Sequence, residues 1–343
     1  MTQNIVNPSV TESAANNIES VFSDFSFQDI VTDIVEGKFS ASPGGFINRL
    51  ISLFMGELKG AFCLVGTIAA LVMLGAVVNN LGQSFGKRGI SEATGFAVFV
   101  YSAAICATAF EKAGGYVIET LNDITLFVHS IIPAMAAICV SGGEFMMASL
   151  SHPVVFFVCS AAGTLIKNVI TPLVLLRAVC TLLCAITKNS GLNEFVGLFS
   201  RLHKTLLTFS MSIFAGILGI SSFAATGFDS LAARGVKFAV SASVPVVGGS
   251  ISEAMSSVAG SAMLLKNAVG IAGVIMLFAM FMVPVIKIWA LGIAFRLAAA
   301  FTAPVAENRT VEVLRNIGDC IEMLFSSLAC MGTIMIIALA SIL

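Results

Sequence analysis

Among side chains able to do chemistry, the cysteines and histidines come first. Eight cysteines are present: Cys63, Cys106, Cys139, Cys159, Cys180, Cys184, Cys320 and Cys330. Nearly all lie in apolar stretches and none belongs to a C-x-x-C pair. A thiol in such surroundings behaves as a small hydrophobe. Cys180 and Cys184 share a helix face by spacing, but two thiols without a neighbouring histidine do not make a zinc site. The three histidines, His129, His152 and His203, fall in different segments. No H-E-x-x-H, Walker A, G-x-S-x-G or glycine-rich dinucleotide pattern occurs. The sequence makes no case for catalysis, a cofactor or a metal.

Charges set into apolar sequence say more. Lys167, Arg177, Lys266, Lys287 and Arg296 interrupt such runs, with Glu144 and Glu253 the nearest carboxylates. An ionised group at mid-bilayer costs roughly 2.5–3.5 kcal/mol on insertion scales, so these residues should face the bundle interior, pair, or lie near an edge. In the plainer reading most of them mark helix ends, and Lys266 and Lys287 fit that by bracketing a charge-free run. In the other they form a basic lining for an anionic solute or partner. Glu253 is expected to pair with a basic residue inside the bundle. Lys266 is the candidate near in sequence, with Gly260 permitting the necessary bend.

Helix breakers cluster in the same regions. Pro133 falls in Ile131-Ile132-Pro133-Ala134, and Pro245 in Val244-Pro245-Val246-Val247-Gly248-Gly249. A proline removes a backbone donor and clashes one turn back, so a kink or an unwound segment is expected at each. Transporters present backbone groups to solutes at such breaks, although kinks also occur where nothing binds. Leu165-Ile166-Lys167-Asn168 is echoed by Leu264-Leu265-Lys266-Asn267. That pattern suits either an internal duplication or chance, since Lys188-Asn189 repeats the dipeptide as well.

The elements that must hold these residues follow from composition. The 343 residues are 57% apolar and 11% charged, with a mean hydropathy of +0.99. Soluble domains run nearer 45–50% and about 25%. The 18 basic and 19 acidic residues nearly cancel, which gives no polybasic argument for nucleic acid. The chain reads as an integral membrane protein whose solvent is the lipid bilayer. About twenty residues of helix cross a hydrocarbon core of roughly 30 Å. Residues 60–86, 93–110, 124–143, 145–166, 205–228, 267–286 and 323–343 carry no charge. Three further stretches each contain one charge: 168–187 with Arg177, 238–265 with Glu253 and 288–306 with Arg296. The predicted fold is an all-α bundle of seven to ten transmembrane or re-entrant helices, kinked at Pro133 and Pro245.

Residues 1–59 form a separate acidic portion, with seven acids against three bases. Phe27, Ile30, Val31, Ile34 and Val35 repeat at helical spacing. After a turn-like Ser40–Gly45 stretch, Ile47, Leu50, Ile51, Phe54 and Leu58 mark a second amphipathic helix over 46–59. These helices either lie in the membrane interface or pack on the 60–343 transmembrane domain. Residues 1–25 lack a basic start and a long apolar run, so no secretory signal is read there. Loop charges put 79–92 and 188–204 in the cytoplasm, the acidic 111–123 loop on the other side, and the N-terminal portion outside.

The run from Val244 to Gly270, VPVVGGSISEAMSSVAGSAMLLKNAVG, is followed by Pro284 and Lys287. With the acidic N-terminal portion and the 46–59 helix, it resembles the stage III sporulation protein AE family from about residue 20 to the end. The resemblance implies a multi-pass component of a channel or secretion-like complex required for endospore development after engulfment. That complex lies in the mother-cell membrane with other membrane proteins of the stage III A operon, and meets a forespore membrane partner indirectly. The family usually begins with a signal-like segment, whereas this sequence begins MTQNIVNPSV. No catalytic residue carries over. The residues expected to matter for structure or for a pathway are Pro133, Glu144, Lys167, Pro245, Gly248, Gly249, Glu253, Lys266 and Asn267. The competing reading is a stand-alone secondary transporter for a small solute, using the Pro133 and Pro245 breaks.

Overall fold

A computed structural model describes residues 31–32, 43–84, 88–187, 191–243, 248–304 and 308–343. Among them there is no strand. The elements are α1 (Pro43–Ser84), α2 (Arg88–Ser141), α3 (His152–Leu165), α4 (Thr171–Thr187), α5 (Gly191–Ser243), α6 (Gly248–Thr302) and α7 (Asn308–Ala340). Among the described residues, six segments are long and apolar enough to cross a membrane, against the seven to ten expected. They are Phe54–Gly75, Ala93–Ser141, Met147–Thr187, Gly191–Leu231, Ser257–Thr302 and Asn308–Ala340.

The lower count has a physical cause. Charge-free stretches were expected to end where a charge appears, but a lone charge does not break a helix. Residues 93–110 and 124–143 join through 111–123, which is helix in the middle of α2 rather than a loop. No proline falls in that stretch, and the Thr120 hydroxyl donates back to Tyr116 O at 2.7 Å within the turn. Likewise α6 runs straight past Lys266 and Lys287, so these lysines do not mark its ends. α2 ends at Ser141, just before Gly142-Gly143, and α6 ends at Thr302, two residues before Pro304. The 46–59 helix and the first span are one element, opened by Pro43, where a missing N–H costs nothing.

The resulting helices are long. At 54 and 55 residues, α2 and α6 each extend about 80 Å, well beyond one bilayer core. Both carry an internal proline, Pro133 and Pro284, and both continue beyond it. The expected break at Pro245 lies outside the described residues.

Met147–Thr187 shows how proline is absorbed differently. Five-residue π-helical turns, Met147–Ser151 and Ile166–Ile170, precede α3 and α4. Each is followed by a residue and then a proline: His152-Pro153 and Thr171-Pro172. Proline cannot supply the N–H for the usual bond one turn back. The N–H of the preceding residue bonds five residues back instead, to Met147 O and Ile166 O. The chain stays helical at the cost of a widened turn.

Packing centres on α7. Half of its apolar window is buried, against 17% for α5 on the periphery. It runs antiparallel to α6, and α2, α3, α4 and α5 also touch it. Ile68 of α1, Ile124 and Val128 of α2, Val155 and Cys159 of α3, Leu277 of α6, and Leu324, Leu328 and Met335 of α7 are fully buried in one core. Close approach of α6 and α7 depends on small residues: Gly332 lies against the Phe281 ring, where a Cβ would collide.

Candidate functional site

The polar side chains inside this bundle gather at two levels, and neither was fully anticipated. The first lies where α2 reverses into Met147–Ser151. The reversal needs Gly143, whose φ of 86° suits glycine, and Gly142, where a Cβ would approach Ala262 Cβ to 3.1 Å. Glu144, set by this turn, accepts from Lys266 Nζ of α6 at 2.8 Å. The Lys266 side chain is only 5% exposed and that of Glu144 is 30% exposed. The expected Glu253–Lys266 pair is therefore replaced. Glu253 sits exposed near the start of α6, while the turn carries Glu144 onto the lysine from 122 residues away in sequence.

Asp229 of α5 completes the reversal. Its two oxygens accept from Met146 N at 2.8 Å and Met147 N at 2.7 Å, capping the helix that begins there. The buried His152 ring bonds Met147 O through Nδ1 at 2.7 Å, so Nδ1 carries the proton and donates. Its Nε2 is left facing Cys139 Sγ at 4.0 Å. The Ser151 hydroxyl donates across to Ser221 O at 3.1 Å. Four helices are thus tied at one chain reversal.

At the second level, α4, α5, α6 and α7 meet. Arg177 is 5% exposed, and its guanidinium reaches Cys320 Sγ at 3.1 Å and Asp319 Oδ2 at 3.7 Å. Among the described residues, Arg177 Nε is buried without a hydrogen-bond partner. Asp319 also pairs with Arg296 at 3.3 Å, and Arg296 in turn contacts Glu322. Nearby, the Ser327 hydroxyl gives its proton to Met323 O at 2.9 Å and accepts from His203 Nε2 at 2.9 Å. Between the two levels, Lys167 donates to Asn122 Oδ1 at 2.8 Å. His129 bonds Ser160 at 2.9 Å and stacks on Phe156. A crevice of about 50 Å³ lies between α2 and α6, lined by Tyr116, Glu119, Asp123, Met280, Pro284 and Lys287 among others.

Of the residues singled out from sequence, the structure brings together Glu144 and Lys266, with Asn267 partly buried beside the lysine. Lys167 stands apart on the π-helical turn Ile166–Ile170, while Lys266 lies in regular α-helix, so the two echoing tetrapeptides have different backbones and partners. Pro133 is exposed on α2, and Gly248 and Gly249 open α6. Sequence reasoning did not pick out Asp229, Asp319 or the His203–Ser327 pair. Asp229 did carry a signal, because it ends the charge-free 205–228 stretch. The chain also has two carboxylates one turn apart on a single helix, Glu119 and Asp123, which the loop reading of 111–123 had hidden. No group of three or more metal-ligating side chains gathers among the described residues. Among the described residues, the buried charges fasten helices through ion pairs.

No solved structure matches this chain. A curated relative, the stage III sporulation protein AE of Bacillus subtilis (strain 168), is 26% identical over 310 residues, covering 90% of this chain and 78% of the relative. The sequence profile described as Stage III sporulation protein AE matches residues 25–343, taking in every helix from α1 to α7 and both polar levels. This chain therefore belongs to the stage III sporulation protein AE family, a sporulation family of membrane proteins.

Proposed function

We propose that this protein is a multi-pass subunit of a channel-like, secretion-like complex that joins mother cell and forespore once engulfment is complete. It sits in the mother-cell membrane with other membrane proteins of the stage III A operon, and the forespore membrane partner meets the assembly indirectly. Membership of the family across residues 25–343 carries this reading. The interior supports it: the buried charges are used in fastening helices, Lys266 to Glu144 and Arg177 to Asp319. A stand-alone permease needs an internal solute site, and these charges are spent on one another instead. In this scheme the acidic N-terminal portion lies outside the cytoplasm and faces the space between the two cells, with the basic Lys87, Arg88 and Lys188 on the opposite side.

Deleting the gene and following both growth and forespore size by microscopy tests the proposal. Vegetative growth and engulfment should proceed normally, followed by small, collapsing forespores with poor late gene expression. An uptake defect in dividing cells, with normal spores, would overturn it in favour of a solute permease.

A further inference from the structure

Charges lie on the outside of the bundle as well as within it. On α2, Glu111 and Glu119 are exposed and Asp123 is half-buried, at spacings that set them along one side of the helix. On α5, Arg201 and Lys204 are exposed, three residues apart and so also on one side. None of the five joins an ion pair among the described residues. Both groups fall inside segments apolar and long enough to span a membrane, Ala93–Ser141 and Gly191–Leu231. A charge on the outer surface of such a segment is costly unless an opposite charge meets it.

The two groups lie at one height. Gly163 of α3 fixes the register, since a Cβ there would be 3.1 Å from Thr125 Oγ1 and 3.3 Å from Met331 Cε. Thr125 of α2 and Met331 of α7 are therefore level. A second such station is Gly273, where Ile131 and Leu339 both approach, so α2 and α7 run parallel. One turn back from the first station are Leu121 on α2 and Ser327 on α7. Ser327 bonds His203 of α5 at 2.9 Å. Glu119 thus stands within about one helical turn of the height of Arg201 and Lys204. α7 packs against both α2 and α5, which make no substantial contact with each other. Exposed apolar side chains border each group: Tyr116 and Leu126 on α2, Leu202 and Phe209 on α5.

We propose that the α2 flank of one copy packs against the α5 flank of the next, with Glu119 and Asp123 meeting Arg201 and Lys204. Lys287 shares the crevice with the two carboxylates and the exposed Lys112 lies on the same side of α2, so together they offset two of the three negative charges and leave the α2 flank net acidic. Two like flanks would bring charges of one sign together, so the contact is head-to-tail. Head-to-tail contacts close into rings when the rotation allows and otherwise run on as filaments. The apolar borders exclude water and strengthen the central attraction. This inference stands on the two flanks alone and does not require the channel role.

Cross-linking in membranes tests it directly. In a cysteine-free full-length chain, Glu119→Cys and Lys204→Cys together should give, on oxidation, a ladder of dimers and larger multimers. Neither substitution alone should do so. In lipid nanodiscs, Glu119→Lys and Lys204→Glu should each lower the native mass, and the two together should restore it. Helical circular dichroism checks that each variant folds. Where a reversal does not accumulate, Glu119→Gln or Lys204→Gln should shift the mass in the same direction. A monomeric unaltered chain, a ladder from Glu119→Cys alone, or a native mass indifferent to both reversals would overturn the proposal. So would a monomer that loses a different membrane protein when Glu119→Lys is introduced. Failure here leaves the forespore phenotype of the deletion unaffected, so the two proposals fail separately.

Discussion

The reversal after α2 and the junction of α4, α5, α6 and α7 both bury a cation, but they treat it differently. At the reversal, Lys266 has one carboxylate at 2.8 Å, and Asp229 serves two backbone N–H groups with its two oxygens. Each of these partners is matched. At the junction, Asp319 is divided between Arg177 at 3.7 Å and Arg296 at 3.3 Å, and Arg177 Nε has no acceptor. Burying an ion is repaid only when geometry and hydrogen bonding are good. The reversal meets that condition and the junction does not. A satisfied pair fixes one conformation, whereas a shared carboxylate has two partners of similar reach and can change its allegiance.

The difference is broken most severely by Glu144→Gln. Among the described residues it removes the one carboxylate paired with a lysine whose side chain is 5% exposed, stranding a charge. The expected loss is about 3 kcal/mol, within the range for breaking a buried pair. Thermal unfolding in detergent should show a lower midpoint, and membrane abundance should fall. Adding Lys266→Met should recover much of the loss, because an apolar side chain asks for no partner. A double variant no better than Glu144→Gln would mean the pair is not the source of the effect.

Asp319→Asn comes next. It weakens the hold on Arg177 and Arg296 together, but Arg177 keeps Cys320 Sγ and Asn316 O, so a loss of about 2 kcal/mol is expected. Arg177→Met should be milder than Asp319→Asn, since it removes the orphaned Nε along with the charge. If Arg177→Met proves the more damaging in thermal unfolding, the guanidinium is better satisfied than the geometry indicates.

The helical class and the membrane solvent were legible because they rest on composition, which position does not alter. Helix ends were less legible. A charge in an apolar run suggests a boundary, yet Glu119, Asp123, Lys266 and Lys287 all sit within continuous helix. Backbone hydrogen bonding inside a helix is indifferent to a side chain that can reach a partner or a surface. The proline rule served better, but with two outcomes. α2 continues past Pro133, whereas the prolines at 153 and 172 each follow a widened turn. The expectation that Glu253 finds a basic partner, with Lys266 the candidate, lets nearness in sequence stand in for nearness in space, and Lys266 is taken by Glu144 instead. Glu144 was itself singled out. What linked it to Lys266 was the Gly142–Gly143 reversal, a tertiary feature with only a dipeptide for a signature.

The smallest expected effect is the most discriminating. Glu322→Gln removes a partner of Arg296, but both side chains are about half exposed, at 52% and 51%. Exposed pairs gain little, because water solvates the separated ions nearly as well and ordering two long side chains is costly. Arg296 also retains Asp319 when Glu322 is neutralised. Glu322→Gln should therefore unfold within about 0.5 kcal/mol of the unaltered protein. Its informative consequence lies elsewhere. With Glu322 gone, Arg296 draws more fully on Asp319, and Arg177 loses part of its share. The cost of Asp319→Asn should then differ between the two backgrounds, whereas independent sites would add. A double-mutant cycle of Asp319→Asn and Glu322→Gln, read by thermal unfolding, measures this coupling. Strict additivity would show that Asp319 is not divided between its arginines, and the contrast with the Lys266 reversal would lose its basis.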